Sequence, residues 1–286
     1  MRILINPRSG ADRGGDHDAI DALRAALPAA TLIPLEDGRT CDDLLGHDPD
    51  TGPFGACGGD GTINAVAATA IEVGVALLVV PGGTRNHFAH DIGIDDTEAA
   101  IEAATCGRSM TADVGEIDGQ LFLNNASVGV YADLVRVRER WEDRIGKRLA
   151  TVVAVCAVVR RGKPLRVEID DRRRRLWCAW FGNNIYDEGG LFVPAGRSSL
   201  AGGVLDMRLV TAERRWARVR LIVTALLRRI EDSPVYEARH VDRVVVRCDH
   251  RLTVAYDGEV TDANLEFEVR VRPGALNVLV PRAVAP

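Results

Sequence analysis

The chain has 286 residues, 47% of them hydrophobic and 27% charged, a globular composition long enough for two domains of ordinary size. Its 36 Lys+Arg against 41 Asp+Glu give a formal net charge of −5, which argues against the overall basic balance of a nucleic-acid-binding protein. Only two lysines occur, Lys147 and Lys163, so phosphate chemistry would rest on backbone amides, arginine and metal, and a Walker-type lysine is missing.

No stretch reaches the roughly 18 apolar residues that span a bilayer, and Met1 to Pro7 reads as a short strand, not a signal peptide, so a cytoplasmic protein is expected. In chain order the pattern predicts strands at 2–6, 31–35 and 53–57, alternating with helices at 16–27 and 40–46. A helix at 62–72, an apolar strand from Val75 to Val80 and a helix at 97–106 follow. Such alternation predicts an α/β domain with a parallel sheet covered on both faces.

Past Gly107 the pattern turns to short strands and tight turns such as Asp118-Gly119, which places a boundary near 110. Residues 111–286 then read as a mainly antiparallel β domain, with strands at 165–170, 175–182, 204–210, 242–256 and 265–280 and helices at 131–161 and 212–232. Its edge strands allow pairing between two chains, and so a homodimer. The six cysteines, Cys41, Cys57, Cys106, Cys156, Cys178 and Cys248, form no CxxC pair and suit reduced, packed thiols.

Three glycine-rich turns follow predicted strands, at the carboxyl edge where open α/β sheets bind ligands. They are Asn6-Pro7-Arg8-Ser9-Gly10, Gly58-Gly59-Asp60-Gly61-Thr62 and Pro81-Gly82-Gly83-Thr84-Arg85-Asn86. In the second, glycines let the backbone approach an oxyanion while the helix start points free N–H groups at it. A plain strand-to-helix turn explains any one of them alone. Asp60 would repel phosphates unless it binds Mg²⁺, accepts a hydrogen bond or takes a proton. Arg85 is either a surface arginine or a cation for the phosphates, and Asp257-Gly258-Glu259 is either an ordinary hairpin turn or a pair of carboxylates held at a strand end.

Taken together, NPxSG, GGDGT, GTxNxFA (Gly83 to Ala89) and Asp257-Gly258-Glu259 resemble the diacylglycerol kinase and sphingosine kinase superfamily. The resemblance continues through Asn124-Asn125, Gly182-Asn183, Gly189-Gly190, Pro194-Ala195 and Gly203 to Asp206, and so covers nearly the whole chain. It implies the two-domain fold shared by NAD kinases and diacylglycerol kinases, with residues 1–110 as the catalytic domain and ATP held by Asn6 to Gly10, Gly58 to Thr62, Gly83, Thr84 and Asn86, with Thr40 in reach. It implies an ATP site between the domains, Mg²⁺ bound with the nucleotide, and a lipid hydroxyl as acceptor. Asp257 or Glu259, with Asp60, would deprotonate that hydroxyl, and the resemblance does not say which acid is the base.

Two positions depart from the family. His87 stands where an aspartate is common, and Leu200-Ala201-Gly202-Gly203 lacks acids that hold a structural magnesium in relatives, which leaves Asp206 as a poor site on its own. A lipid kinase also has to reach a membrane surface, and Glu213 to Glu231, rich in Arg, Leu and Trp, reads either as a peripheral contact or as a helix packed on the β domain. Two other functions compete with lipid phosphorylation. An NAD kinase shares GGDGT, and a catalytically silent lipid-binding protein would explain the missing acids.

Overall fold

Four short apolar strands build the first sheet: β1 (Arg2–Ile5), β2 (Thr31–Pro34), β3 (Phe54–Gly58) and β4 (Leu77–Pro81). In this computed structural model the described residues are 1–7, 16–36, 38–83, 85–187, 196–227 and 229–282. The strands run parallel in the order β2-β1-β3-β4, with Ile5 opposite both Pro34 and Cys57, and Gly58 opposite Pro81. That register ends β1, β3 and β4 at one edge. Every residue of β3 is buried, as expected of a strand covered on both faces.

The connecting helices are α1 (Asp16–Ala26), α2 (Cys41–Leu45), α3 (Asp60–Val73), α4 (His87–Asp91) and α5 (Thr97–Thr105). Helix α3 buries Ile63, Val66, Ala67 and Ala70, and ends at Gly74 in the left-handed conformation (φ 80°). It begins at Asp60, two residues earlier than its apolar periodicity suggests, which puts Asp60 in its first turn.

By contacts the chain divides into Met1–Val114 with Arg272–Pro286, and Gly115–Val271. The C-terminal segment thus belongs with the first unit, a return that a single boundary near 110 does not contain. There Val278 pairs in parallel with Leu77.

The second unit is antiparallel. Strands β5 (Arg108–Ile117) and β6 (Gln120–Phe122) form a hairpin through Asp118 (φ 49°) and Gly119 (φ 81°), the positive-φ pair of a tight two-residue turn. Then come β7 (Asn125–Gly129), α6 (Tyr131–Arg161), β8 (Leu165–Ile169), β9 (Arg172–Asn183), β10 (Leu205–Thr211), α7 (Ala217–Leu226), β11 (Tyr236–Val241), β12 (Arg243–Cys248), β13 (Thr253–Tyr256), β14 (Glu259–Asp262) and β15 (Glu266–Val280). The long β9 organises them: one edge pairs with β8 and then β7, the other with β10. Ala179 and Phe181 enter one core cluster with Val128, Met207 and Val254, while Trp177 and Trp180 enter another with Val155, Val158 and Leu221 of α6 and α7.

The mixed fold expected from the sequence is present, a parallel sheet in the first unit and antiparallel strands in the second. Three boundaries differ. The 212–232 helix is confined to Ala217–Leu226 because Trp216 has φ 61°, outside helical space. Residues 242–256 form two strands, β12 and β13, and α6 is broken at Gly146 (φ 77°, ψ 154°). Among the described residues no helix is long and apolar enough to cross a membrane.

Trp180 is 1% exposed, edge-on to Tyr186 at 5.2 Å between ring centroids, with the Arg208 guanidinium 5.1 Å from its ring centre. Trp180→Ala is expected to cost about 3–5 kcal/mol by leaving a cavity, read as a lowered urea midpoint for the second unit.

Candidate functional site

The end of β1 and the second and third glycine-rich turns meet within the first unit. Asn6, at the end of β1, donates from Nδ2 to Thr62 Oγ1 on α3 at 2.9 Å, and its backbone N–H donates to the Cys57 carbonyl. Gly82 N–H donates to the Gly58 carbonyl at 2.9 Å. Between the second and third turns the backbones nearly touch: a Cβ on Gly83 would lie 2.7 Å from Gly59 Cα and 2.9 Å from Asn86 Oδ1. A Cβ on Gly58 would lie 2.8 Å from the Thr62 side chain. These glycines are required by close approach.

Asn86 closes the third turn. It sits in the left-handed region (φ 46°, ψ 45°), accepts from Gly83 N–H at 2.9 Å and donates to the Gly83 carbonyl at 2.8 Å. Both ends of its amide are thus used within the turn. His87 begins α4 and is exposed. Pro7 lies in the exposed turn after β1, and Arg8, Ser9, Gly10 and Thr84 fall outside the described residues. Thr40 caps α2 instead: its hydroxyl accepts from Asp43 N–H at 3.2 Å while its own N–H donates to the Asp43 carboxylate. Among the described residues no hydrogen bond joins Thr40 to the three turns.

The N-terminus of α3 points into this convergence. Its N-cap is Gly59, with no side-chain cap, so the first N–H groups are left for a ligand, and Gly61 keeps the first turn narrow. Asp60 Oδ1 is buried without a hydrogen-bond partner among the described residues. An orphaned carboxylate oxygen beside free amides suits a cation shared with an anionic ligand.

The second unit holds the Asp257-Gly258-Glu259 turn between β13 and β14, with positive φ at Asp257 (44°) and Gly258 (92°). Its two acids differ completely. The Asp257 carboxylate accepts from the N–H groups of Leu123 (2.6 Å), Asn124 (3.0 Å) and Asn125 (3.0 Å), and Asp257 N–H donates to the Asn125 carbonyl. Glu259 is exposed, with the Tyr256 hydroxyl 3.3 Å from its Oε2 and equally far from Gln120 Oε1. Burial, and then the charge of Glu259, push the Tyr256 phenol above its usual value, so it stays a neutral O–H donor.

Behind Asp257 lies a group that the sequence does not announce. Arg197, buried, donates from one guanidinium nitrogen to the carbonyls of Leu123 (2.7 Å) and Asn183 (3.0 Å), and from the other to Asn124 Oδ1 (3.2 Å). Tyr186 hydroxyl donates to the Asn124 carbonyl at 3.0 Å, and Asn183 Nδ2 to the Leu123 carbonyl at 3.0 Å. Asp206 is 2% exposed and its Oδ2 is gripped by Arg208 at 2.6 and 2.9 Å, so this lone carboxylate, already neutralised, does not fit an accessory divalent cation. A cavity of about 620 Å³ lined by Arg166, Arg174, Glu213 and Arg247 shares no residue with either group, and two of its arginines are held in ion pairs, Arg174 with Glu213 and Arg247 with Glu168.

The diacylglycerol kinase catalytic domain family matches residues 1–117. The match and the relatives below support the diacylglycerol kinase and sphingosine kinase superfamily. It is 26% identical to a "probable lipid kinase YegS-like" of Klebsiella pneumoniae, over 98% of this chain and 95% of that one. It is 28% identical to a diacylglycerol kinase of Bacillus subtilis, over 71% and 70%. In fold it is similar to a diacylglycerol kinase from Bacillus anthracis (TM-score 0.67, 16% identity, 99% and 97% covered). It is also similar to an NAD kinase from Archaeoglobus fulgidus solved in complex with ATP (TM-score 0.53, 13% identity, 98% and 94% covered).

The unequal surroundings of the two acids give a stability test. Asp257→Ala strips three amides of their acceptor and is expected to cost about 2–3 kcal/mol, whereas the exposed Glu259→Ala is expected to stay within about 0.5 kcal/mol. Urea unfolding of the two variants checks this, and equal losses would contradict the assignment.

Proposed function

We propose that this chain is an ATP-dependent kinase that transfers the γ-phosphoryl group to the hydroxyl of a lipid, diacylglycerol or a related alcohol, with Mg²⁺ bound alongside the nucleotide. The observation that carries this reading is the meeting of Asn6 and the second and third glycine-rich turns at the uncapped N-terminus of α3, beside an Asp60 oxygen that has no hydrogen-bond partner among the described residues. The backbone amides of the first turn of α3 bind the phosphates, and the Asn6–Thr62 hydrogen bond fixes the end of β1 against them.

Among the described residues no group of three or more His, Cys, Asp and Glu stands ready for a metal, so the nucleotide's own phosphate oxygens and water would complete the ligands of Mg²⁺ beside Asp60. When bound, Mg²⁺ neutralises charge on the β- and γ-phosphates.

Glu259 is the general base. Its carboxylate is exposed to an acceptor, whereas the Asp257 oxygens are committed to three amides, so Asp257 fixes the turn and Glu259 takes the proton. As the acceptor oxygen bonds to the γ-phosphorus, its proton passes to Glu259 and the bond from phosphorus to the ADP oxygen breaks. Tyr256 holds the Glu259 carboxylate in place.

Transfer of labelled γ-phosphate to diacylglycerol, a sphingoid base, ceramide and NAD tests the substrate class. Labelled lipid supports the reading, and labelled NAD alone would sink it in favour of an NAD kinase. Glu259→Gln is expected to lower turnover about 100-fold or more while ATP binding persists, within the usual range for losing a general base. Tyr256→Phe is expected to lower turnover several-fold, with unfolding unchanged within about 1 kcal/mol.

A further inference from the structure

Helix α7 and the residue before it present an unpartnered apolar stripe. Its inner face buries Ala217 and Leu221 in the cluster around Trp177 and Val158. The opposite face exposes Val219 (51%), Val223 (44%), Leu226 (55%) and Leu227 (65%), spaced i, i+4, i+7 and i+8, so they form one stripe along the helix. Leu227 continues that stripe because its N–H still donates to the Val223 carbonyl.

Trp216 heads the stripe. It is 66% exposed and sits at φ 61°, a costly conformation for a bulky residue, and its carbonyl accepts the Arg220 N–H of the first helical turn. The strain holds a large indole in water, where it contributes nothing to the core.

Charge says what covers this face. Residues 213–229 contain six arginines and one acid, a local +5 in a chain whose total is −5. Arg214, Arg215, Arg220 and Arg229 are exposed and form no ion pair with any described residue. Arg215 lies 5.9 Å from the centre of the Trp216 ring, while Arg218 turns inward over Trp177 at 5.4 Å. An aliphatic stripe with an indole at its head and unpaired guanidinium groups around it matches the layered chemistry of an anionic lipid surface: acyl chains below, phosphates above.

We propose that Trp216 and the outer face of α7 dock the protein on an anionic bilayer, with the stripe lying in the plane of the interface. This rests on the lipid kinase reading and deepens it by naming the surface from which the substrate is taken. The arginines confer selectivity for negative headgroups, and the stripe supplies the attachment.

The test is flotation of the full chain with vesicles of phosphatidylcholine alone or mixed equally with phosphatidylglycerol. The wild type is expected to float with the anionic vesicles only, and less so as salt rises. Its Trp emission should shift to the blue on binding, a shift absent in Trp216→Phe. A Val219→Ser, Val223→Ser, Leu227→Ser variant and an Arg215→Glu, Arg220→Glu variant are each expected to bind about tenfold more weakly or worse. The charge variant changes only exposed side chains, so it serves if the serine variant misfolds.

Equal binding to both vesicle types, no binding to either, or full binding by both variants overturns the proposal. So does a dimer that these substitutions split while vesicle binding persists, since the stripe would then join two copies. Phosphorylation of a monomeric short-chain lipid alcohol separates the two readings. Variants that keep it but fail on vesicle-borne substrate support docking, whereas a wild type without transfer refutes the kinase and leaves the flotation result to stand by itself.

Discussion

Three consecutive backbone N–H groups, on Leu123, Asn124 and Asn125, point at one carboxylate, that of Asp257. Buried amides without an acceptor cost about 1–3 kcal/mol each, so this segment and the β13–β14 turn are stable only together. On the far side of the same segment Arg197 holds the Leu123 carbonyl, and Tyr186 that of Asn124. The peptide units between an anion and a guanidinium are therefore polarised in one direction, and each bond strengthens its neighbour. The segment before β7, the end of β9, Arg197 and the turn before β14 converge there, and Glu259 takes its position from that convergence.

The sequence could not tell Asp257 from Glu259 because they are two residues apart on one turn and carry the same chemistry. What separates them lies 132 to 134 residues away, in amides of a segment that local pattern cannot bring near. Arg197 was invisible for the same reason: one arginine among many, whose three acceptors lie 14 to 74 positions away. Other assignments depended on local chemistry. Thr40, expected within reach of the nucleotide, forms a capping box with Asp43 three residues on. The Asn86 amide is occupied three residues back, at Gly83, which family likeness alone does not disclose.

Fold legibility followed burial. In the first unit both faces of the parallel sheet are covered, so β3 and β4 appear as apolar runs and the βα alternation is plain in the sequence. In the second unit β11 and β14 are mostly exposed, and their residues give neither alternation nor an apolar run. The stretch from 212 to 232 misleads in the other direction. Its arginines and leucines favour helix, but a left-handed Trp216 fixes a late start, which propensity cannot foresee.

The second unit orders its acidic turn with guanidinium groups. Burial works against the charge of Arg208, but the hydrogen bonds and charge of Asp206 outweigh it and leave the arginine pKa raised. Such a pair adds little net stability, since desolvating two ions consumes most of the attraction between them, but it tolerates few alternative packings. A planar fork that must meet two carbonyls and an amide oxygen, as Arg197 does, is equally selective. Both cations are covalently part of the chain, so the order of this turn does not vary with metal concentration.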